Sequence, residues 1–353
     1  ADLSCIIKNK YGKVEMSTSF SSNHNFSKGF FYVADGTFNF YDTEKKTAYQ
    51  DCYASLNAGK TLGIGNYDSA NIIHSNGKFY LLVGTSTSNR DHFYIVDAKT
   101  LYYENSAVVG ANLSGLTILN EQYGLVTGDG IRRIDLKSLN NVRIKNERLL
   151  CFYNSIIYNG KVLSNDTYKD ESKVKYYDVN ELIAAKEGEA PAVTELDIIQ
   201  KQKINFVLAK DGNVYTLESA DNGCNIVKIK NDFTLEKVFA NFQPAKGPYH
   251  SSPTIGMVAS ETENIIYLVS TDGAIYKYIL GDSDSLKAPF IAAESGVSIT
   301  APLQLNQQSG ELYVTYTEEL KDESKIVVYS KDGKVLHTVD CGESVPSQIL
   351  FNN

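Results

Sequence analysis

One phrase recurs seven times along the chain, and this repeat is the feature that most limits the possible folds. Each copy has a turn with Gly or Asn, then an aromatic or aliphatic pair, then a β-rich run. The equivalent positions are Tyr32, Tyr80, Leu125, Leu163, Tyr215, Tyr267 and Tyr313. A period of roughly 40–50 residues is typical of propeller blades, each of which is a four-stranded sheet. We therefore predict an all-β chain folded as a seven-bladed β-propeller.

Each copy also predicts the same order of strands. A small or polar residue and an apolar run precede the phrase, as at residues 69–73, and indicate the innermost strand of a blade. A third strand and a more variable fourth strand follow the phrase. Asp–Gly pairs such as Asp35–Gly36 predict tight hairpin turns, because their left-handed backbone matches the twist of paired strands.

The two ends of the repeat predict how the ring closes. Residues 346–351 have the pattern of an inner strand, but no blade follows them. A C-terminal strand that completes the first blade would remove an exposed sheet edge. Residues 1–26 compete for the same place, and the sequence leaves both alternatives open. We divide the chain into an N-terminal extension, residues 1–26, and the propeller, residues 27–353, with a short helix in 179–189.

Composition excludes several classes of function. The net charge of −8 and the absence of a basic tract argue against nucleic-acid binding, because phosphates require Lys and Arg. The five cysteines lie too far apart in sequence for a zinc motif, and we expect thiols rather than disulfides. Residues 57–61 lack the first glycine of a phosphate loop, and no G-x-S-x-G nucleophile motif occurs. We therefore predict no catalytic residues, no metal site and no required cofactor.

Loops on one face of the predicted propeller carry the candidate binding residues. This face contains the connections between second and third strands and those that enter each inner strand, and function usually resides on such loops. Aromatic side chains would stack on a large, flat ligand, and Arg and His would hydrogen-bond its amides or phosphate. The predicted ligand-binding residues are Tyr67, Arg90, His92, Tyr153, Tyr168, Phe242, Tyr249, His250 and Tyr316.

Two stretches of the chain, residues 31–84 and residues 299–351, are similar to a known family. They resemble the opening and the last blade of YncE-like surface propellers of gut Bacteroidetes, a group labelled as a domain of unknown function. The resemblance implies a lipoprotein of the outer membrane that faces the outside or the periplasm, with its lipid-bearing cysteine upstream of residue 1. Some members bind cobalamin and pass it to a TonB-dependent transporter. The resemblance assigns no ligand residue.

Three hypotheses about function follow. The first is a cell-surface lipoprotein that is not an enzyme and captures a bulky, cobalamin-like nutrient for a TonB-dependent outer-membrane transporter. The second is a glycan hydrolase or lyase, which needs two acidic groups that face one pocket; Asp68, Asp91 and Glu318 are candidates. The third is a protein-interaction platform with no small ligand, which a flat face without a pocket would favour.

Overall fold

A computed structural model describes residues 8–9, 12–13, 25–57, 62, 70–84, 91–111, 113–128, 130–145, 155–165, 172–189, 191–200, 205–245, 256–318 and 323–352. Seven sheets in this part of the chain are arranged as the blades of a propeller, which confirms the fold predicted from the repeat. None of the helices described is long and apolar enough to cross a membrane.

Most blades have four antiparallel strands, and a separate hairpin precedes them. The hairpin and the first four blades contain β1 (Lys8–Asn9), β2 (Gly12–Lys13), β3 (Gly29–Ala34), β4 (Thr37–Asp42), β5 (Thr47–Tyr49), β6 (Ala70–Ser75), β7 (Lys78–Val83), β8 (Asp91–Asp97), β9 (Tyr103–Gly110), β10 (Leu113–Ile118), β11 (Tyr123–Gly128), β12 (Gly130–Asp135), β13 (Asn141–Lys145), β14 (Ile156–Tyr158), β15 (Lys161–Asn165), β16 (Ser172–Asp178) and β17 (Val193–Gln200). The last three blades and the closing strand contain β18 (Val207–Leu208), β19 (Val214–Ala220), β20 (Gly223–Ile229), β21 (Leu235–Phe242), β22 (Met257–Ala259), β23 (Ile265–Val269), β24 (Ile275–Ile279), β25 (Val297–Ile299), β26 (Gln304–Leu305), β27 (Leu312–Glu318), β28 (Glu323–Tyr329), β29 (Val335–Gly342) and β30 (Pro346–Leu350).

The repeated phrase forms the second strand of every blade. The seven equivalent positions lie in β3, β7, β11, β15, β19, β23 and β27. Asp35 and Gly36 have φ values of 46° and 73°, so the turn between β3 and β4 has the left-handed backbone that was expected. Short helices lie in the connections: α1 is Cys52–Leu56, α2 is Val179–Ala184, and 3₁₀ helices span Phe26–Lys28 and Ser283–Leu286. The helix predicted within 179–189 is confirmed.

The C-terminal strand closes the ring. β30 pairs antiparallel with β3, so that Leu350 lies opposite Phe31, and it supplies the inner strand of blade 1. The side-chain amide of Gln348 donates to the carbonyl of Ile72 in blade 2 at 2.7 Å. β1 and β2 pair with each other and not with β3. The first of the two alternatives for closure is therefore confirmed.

Aromatic rings fill the space between neighbouring blades. Phe31 of blade 1 meets Phe79 of blade 2 edge to face at 5.4 Å, and Phe30 meets Tyr313 of blade 7 at 4.9 Å. The buried Tyr215 has a polar partner, because its hydroxyl donates to Asp211 at 2.8 Å. This arrangement explains a composition with 24 Tyr and 15 Phe.

The cysteines that the structure describes are thiols, as predicted. Cys52 and Cys224 are buried and Cys341 is half-buried, and each carries a thiol. Burial raises the pKa of the Cys341 thiol to about 12, so it stays protonated and is a poor nucleophile at neutral pH.

Blade 6 departs from the four-stranded pattern. Its sheet has three strands, β22 to β24, and the fourth is reduced to a bridge between Ile275 and Ile291. The 3₁₀ helix Ser283–Leu286 covers part of the outer edge of β24, where the Ser285 hydroxyl accepts from the N–H of Ile279 at 2.9 Å. Pro289, just before the bridge, has no N–H to donate to a longer ladder. Blade 6 is therefore the blade with the shortest outer wall.

A half-buried histidine makes the stability of the fold depend on pH. His74 lies in β6 against the ring of Phe79 at 5.1 Å, and its Nε2 has no hydrogen-bond partner. Burial lowers the pKa of His74 below its ordinary value of about 6.5. The unfolded chain therefore takes up this proton first as pH falls, and the contribution of neutral His74 to stability is lost from about pH 6.5 down to its pKa in the folded protein.

We expect His74→Leu to reduce the fall in melting temperature between pH 7 and pH 5. Thermal unfolding of the wild type and the variant across this range measures the effect. Parallel curves for the two proteins would show that His74 does not contribute to the pH dependence.

Candidate ligand-binding cleft

A cleft of about 640 Å³ opens on the face that carries the predicted binding loops. Because neighbouring strands of a blade are antiparallel, its second-to-third connection and its connection to the next blade leave the sheet at the same end. The cleft lies where these connections meet between blades 6 and 7, and its volume is within the roughly 300–1,000 Å³ of small-molecule sites. Its lining residues are Ala245, Val269, Ser270, Thr271, Asp272, Gly273, Ala293, Glu294, Ser295, Gly296, Val297, Ser298 and Ile299.

The short outer wall of blade 6 brings the two sides of the cleft together. After the bridge at Ile291 the chain crosses to blade 7, where Ile299 pairs with Tyr316 in β27. On the opposite side, the turn after β23 needs Gly273, whose φ of 84° disfavours other residues. A Cβ at Gly273 would lie 3.9 Å from the Cβ of Ala293, so small residues set the width of the cleft.

Two backbone hydrogen bonds connect Val269 of blade 6 to residues that enter its inner strand. The N–H of Ala245 donates to the carbonyl of Val269 at 2.8 Å, and the N–H of Val269 donates to the carbonyl of Gly256 at 3.4 Å. Ala245 and Gly256 are therefore both hydrogen-bonded to Val269, which lines the cleft. The segment between them, 246–255, lies outside the described residues and contains the predicted ligand residues Tyr249 and His250.

Two carboxylates line the cleft. Asp272 accepts hydrogen bonds from the hydroxyl of Ser270 and from the N–H of Ala274, the latter at 3.1 Å, and these bonds lower its pKa. The side chain of Glu294 is 60% exposed, and its Oε2 lies 3.9 Å from the Nζ of Lys325. Among the described residues that line this cleft there is no Lys, Arg or His.

Acid–base catalysis would require a different environment for Asp272. A glycoside hydrolase needs one carboxyl group that is protonated near neutral pH, and therefore a raised pKa. The pKa of Asp272 is shifted in the opposite direction, so its carboxyl group is ionised at neutral pH. It can accept hydrogen bonds or attract a cation but is a poor proton donor. Within the described residues, no group of three or more His, Cys, Asp or Glu side chains could hold a metal ion.

Three of the predicted ligand residues lie in the described part of the chain, in blades 2, 5 and 7. His92 in β8 is half-buried and stacks on Tyr94 at 5.9 Å. Phe242 is buried at the end of β21 and meets Tyr276 edge to face at 6.0 Å. Tyr316 is buried within β27, and its hydroxyl lies 3.0 Å from that of Tyr329.

The structure corrects the expected location of all three residues. His92, Phe242 and Tyr316 are predicted in loops, but all three lie in strands, and the side chains of Phe242 and Tyr316 are buried. The burial of Tyr316 next to the Tyr329 hydroxyl also raises its pKa, so the phenol is neutral at physiological pH. The three described side chains do not form one site, and their ligand contacts stay predictions.

Of the remaining candidates, two lie within the described residues and seven lie outside them. Asp91 is buried and accepts the N–H of Leu113, which joins blades 2 and 3 and accounts for its burial. Glu318 ends β27. The candidates outside the described residues, for which the prediction stands as made, are Tyr67, Asp68, Arg90, Tyr153, Tyr168, Tyr249 and His250.

Sequence reasoning did not select the two carboxylates of the cleft. Asp272–Gly273 was recognised only as a turn, and Glu294 lies in a connection with no distinctive pattern. The turn itself was the one available signal, since it placed Asp272 on the loop face.

Comparisons with known proteins agree with this fold. The sequence model of a family described as "Domain of unknown function (DUF5074)" matches residues 26–352. A functionally unknown protein from Desulfotomaculum acetoxidans superposes with a TM-score of 0.58 at 12% identity, over 92% of this chain and 99% of that one. Among curated proteins no sequence matches.

Two further solved structures are similar at lower scores. Hsv2 of Kluyveromyces lactis superposes with a TM-score of 0.51 at 11% identity, over 93% of this chain and 97% of that one. The dihydro-heme d1 dehydrogenase NirN, solved in complex with DHE, gives 0.52 at 10% identity, over 93% and 76%. At these identities the likeness shows the propeller fold and nothing about activity.

Proposed function

The chain belongs to the family described as Domain of unknown function (DUF5074), and from this premise we propose that it is a binding protein that captures a bulky small molecule on its loop face. The observation that carries the proposal is the cleft of about 640 Å³ between blades 6 and 7. A preformed cleft on a folded ring favours binding, because the protein loses little conformational entropy when the ligand binds.

The ligand that we propose to test first is cobalamin. The resemblance to YncE-like surface propellers suggests it, and so does the chemistry of the cleft, because peripheral amides of a corrin can donate to carboxylates and hydroxyls. A molecule of this size would enter the cleft in part and extend across the loop face. On the same basis we propose a location in the cell envelope as an outer-membrane lipoprotein, with delivery to a TonB-dependent transporter.

The alternatives have less support. The carboxylates of Asp272 and Glu294 line one cleft, as a glycan hydrolase or lyase would require, but the lowered pKa of Asp272 opposes a role as general acid. A protein-interaction platform needs no cleft of this volume.

Filling the cleft tests the proposal. We expect wild-type protein to bind cyanocobalamin in isothermal titration and Ala293→Trp to bind at least tenfold more weakly, because the indole occupies the cleft. Ala292→Trp is the matched control, since Ala292 is equally exposed on the same connection but does not line the cleft. It should bind within threefold of wild type.

The outcomes separate the parts of the proposal. No heat with wild-type protein at tens of micromolar ligand would exclude cobalamin. Binding that Ala293→Trp leaves unchanged but Tyr168→Ala/Tyr249→Ala weakens would exclude the cleft and place the ligand elsewhere on the loop face.

A further inference from the structure

Most backbone hydrogen-bond donors on the blade 6 side of the cleft already have an acceptor within the protein. This side, which we call the blade 6 wall, consists of Ala245 and residues 269–273. Five of its N–H groups donate within the protein: Ala245 to Val269 at 2.8 Å, Val269 to Gly256 at 3.4 Å, Ser270 to Ala274 at 2.9 Å, Thr271 to Gln243 at 2.9 Å, and Gly273 to Ser270 at 2.9 Å. An N–H that already has an acceptor gains little from a ligand oxygen, so this wall has little capacity to bind an anion.

The side chains of the cleft also favour a ligand that donates hydrogen bonds. The Ser270 hydroxyl is within hydrogen-bond distance of Asp272 and of the carbonyl of Ala274, so its proton is used inside the turn. Asp272 is exposed and accepts both of its described hydrogen bonds through Oδ1, so neither bond occupies Oδ2. Glu294, on the other side, adds a second carboxylate. The nearest cation described for either carboxylate is Lys325, 3.9 Å from Glu294, and this exposed contact is weak.

We propose that the cleft recognises nitrogen donors of its ligand, an ammonium, guanidinium or amide group, and discriminates against ligands that present carboxylate or phosphate there. This inference rests on the proposed binding function and names the chemistry of its ligand. A cation gains attraction from two carboxylates, whereas an anion meets like charge and a wall on which five backbone N–H groups already have acceptors. A haem-like ligand with ionised propionates is therefore disfavoured in this cleft, and an amide-rich or cationic one is favoured.

Two dyes of the same ring system but opposite charge test the inference without knowledge of the natural ligand. Rhodamine 123 is a cationic xanthene and fluorescein is an anionic one. We expect fluorescence anisotropy at low salt to show rhodamine 123 binding at least tenfold more tightly than fluorescein. The difference should shrink as NaCl is raised, because the charges are close to solvent.

Variants assign the preference to the cleft. Glu294→Gln should weaken rhodamine 123 binding about threefold to fivefold, and Glu294→Lys should abolish the difference between the dyes. Glu187→Gln is the matched control, because it removes the same charge from an exposed residue far from the cleft. Glu187 follows α2 in the third-to-fourth connection of blade 4, on the opposite face of the propeller. Its affinities should equal those of the wild type.

The dye experiment tests the charge preference of the cleft whether or not cobalamin binds. If cyanocobalamin gives no heat but Glu294→Gln reduces rhodamine 123 binding and Glu187→Gln does not, the inference stands and the cobalamin proposal fails. If cyanocobalamin binds and Ala293→Trp blocks it, while the two dyes bind alike or respond equally to both variants, the inference is wrong and the binding function stands.

Discussion

Removing residues 346–353 should unfold the propeller under conditions in which the full chain is stable. These residues contain β30, which supplies the inner strand of blade 1. Ile349 and Leu350 are 2% and 7% exposed, and burial of two such side chains contributes about 3–6 kcal/mol. Phe351 also packs on Tyr313 of blade 7 at 4.9 Å, and Asn352 donates to the carbonyl of Ala98 of blade 2 at 2.7 Å. The loss approaches the ~5–15 kcal/mol by which whole domains are stable.

Urea unfolding followed by circular dichroism measures this effect, and point variants keep it measurable if the truncated chain does not fold. Ile349→Ala should cost about 2–4 kcal/mol through the cavity that it leaves. Val345→Ala, next to the same strand but 40% exposed, should change stability by less than about 0.5 kcal/mol. Deletion of residues 1–24 tests the rival closure, because the full stability of that variant would agree with β30 as the closing strand. Equal costs for Ile349→Ala and Val345→Ala would contradict this role of β30.

The architecture could be predicted from the sequence because each copy of the repeat corresponds to one complete blade. A turn, an apolar pair and a β-rich run recur with one period, and each copy can bury its two faces only against neighbouring copies. The closing strand followed from the same reasoning, since residues 346–351 carry an inner-strand pattern with no blade after them. These features depend on local pattern and on the need to remove sheet edges.

The cleft could not be derived in this way. Its shape depends on the outer strand of blade 6, which is limited to a bridge at Ile291, and on the approach of Gly273 to Ala293 from different connections. For the same reason the sequence pattern predicts His92, Phe242 and Tyr316 in loops, although all three lie in strands. An aromatic residue near the end of a strand has the same sequence pattern whether its ring packs on Tyr276 or faces solvent, and only the neighbouring blade decides between the two.

Gly29→Ala should be among the most destabilising single substitutions in the described chain. Gly29 begins β3 with extended backbone, a φ of −179°, so any residue could adopt its dihedral angles. The obstacle is space: an added Cβ would lie 1.9 Å from the carbonyl oxygen of Tyr41 and 2.7 Å from the ring of Phe40. The carbonyl of Tyr41 belongs to the backbone of β4 and cannot rotate away, and the ring of Phe40 packs against Phe26 in the core at 5.1 Å. Relief therefore requires β3 and β4 to separate at this end, which we expect to cost about 3 kcal/mol or more.

Gly77→Ala is the informative comparison, because it should destabilise the protein through backbone strain and not through a steric clash. Gly77 has a φ of 69° and no atom within 4 Å of an added Cβ, so its substitution costs only backbone strain, about 1–2 kcal/mol. Urea unfolding of both variants should therefore show the larger loss at the glycine with ordinary dihedral angles. If Gly29→Ala cost no more than Gly77→Ala, the first residues of β3 would be able to move away from Tyr41, and the tight start of blade 1 would not be required for the stability of the ring.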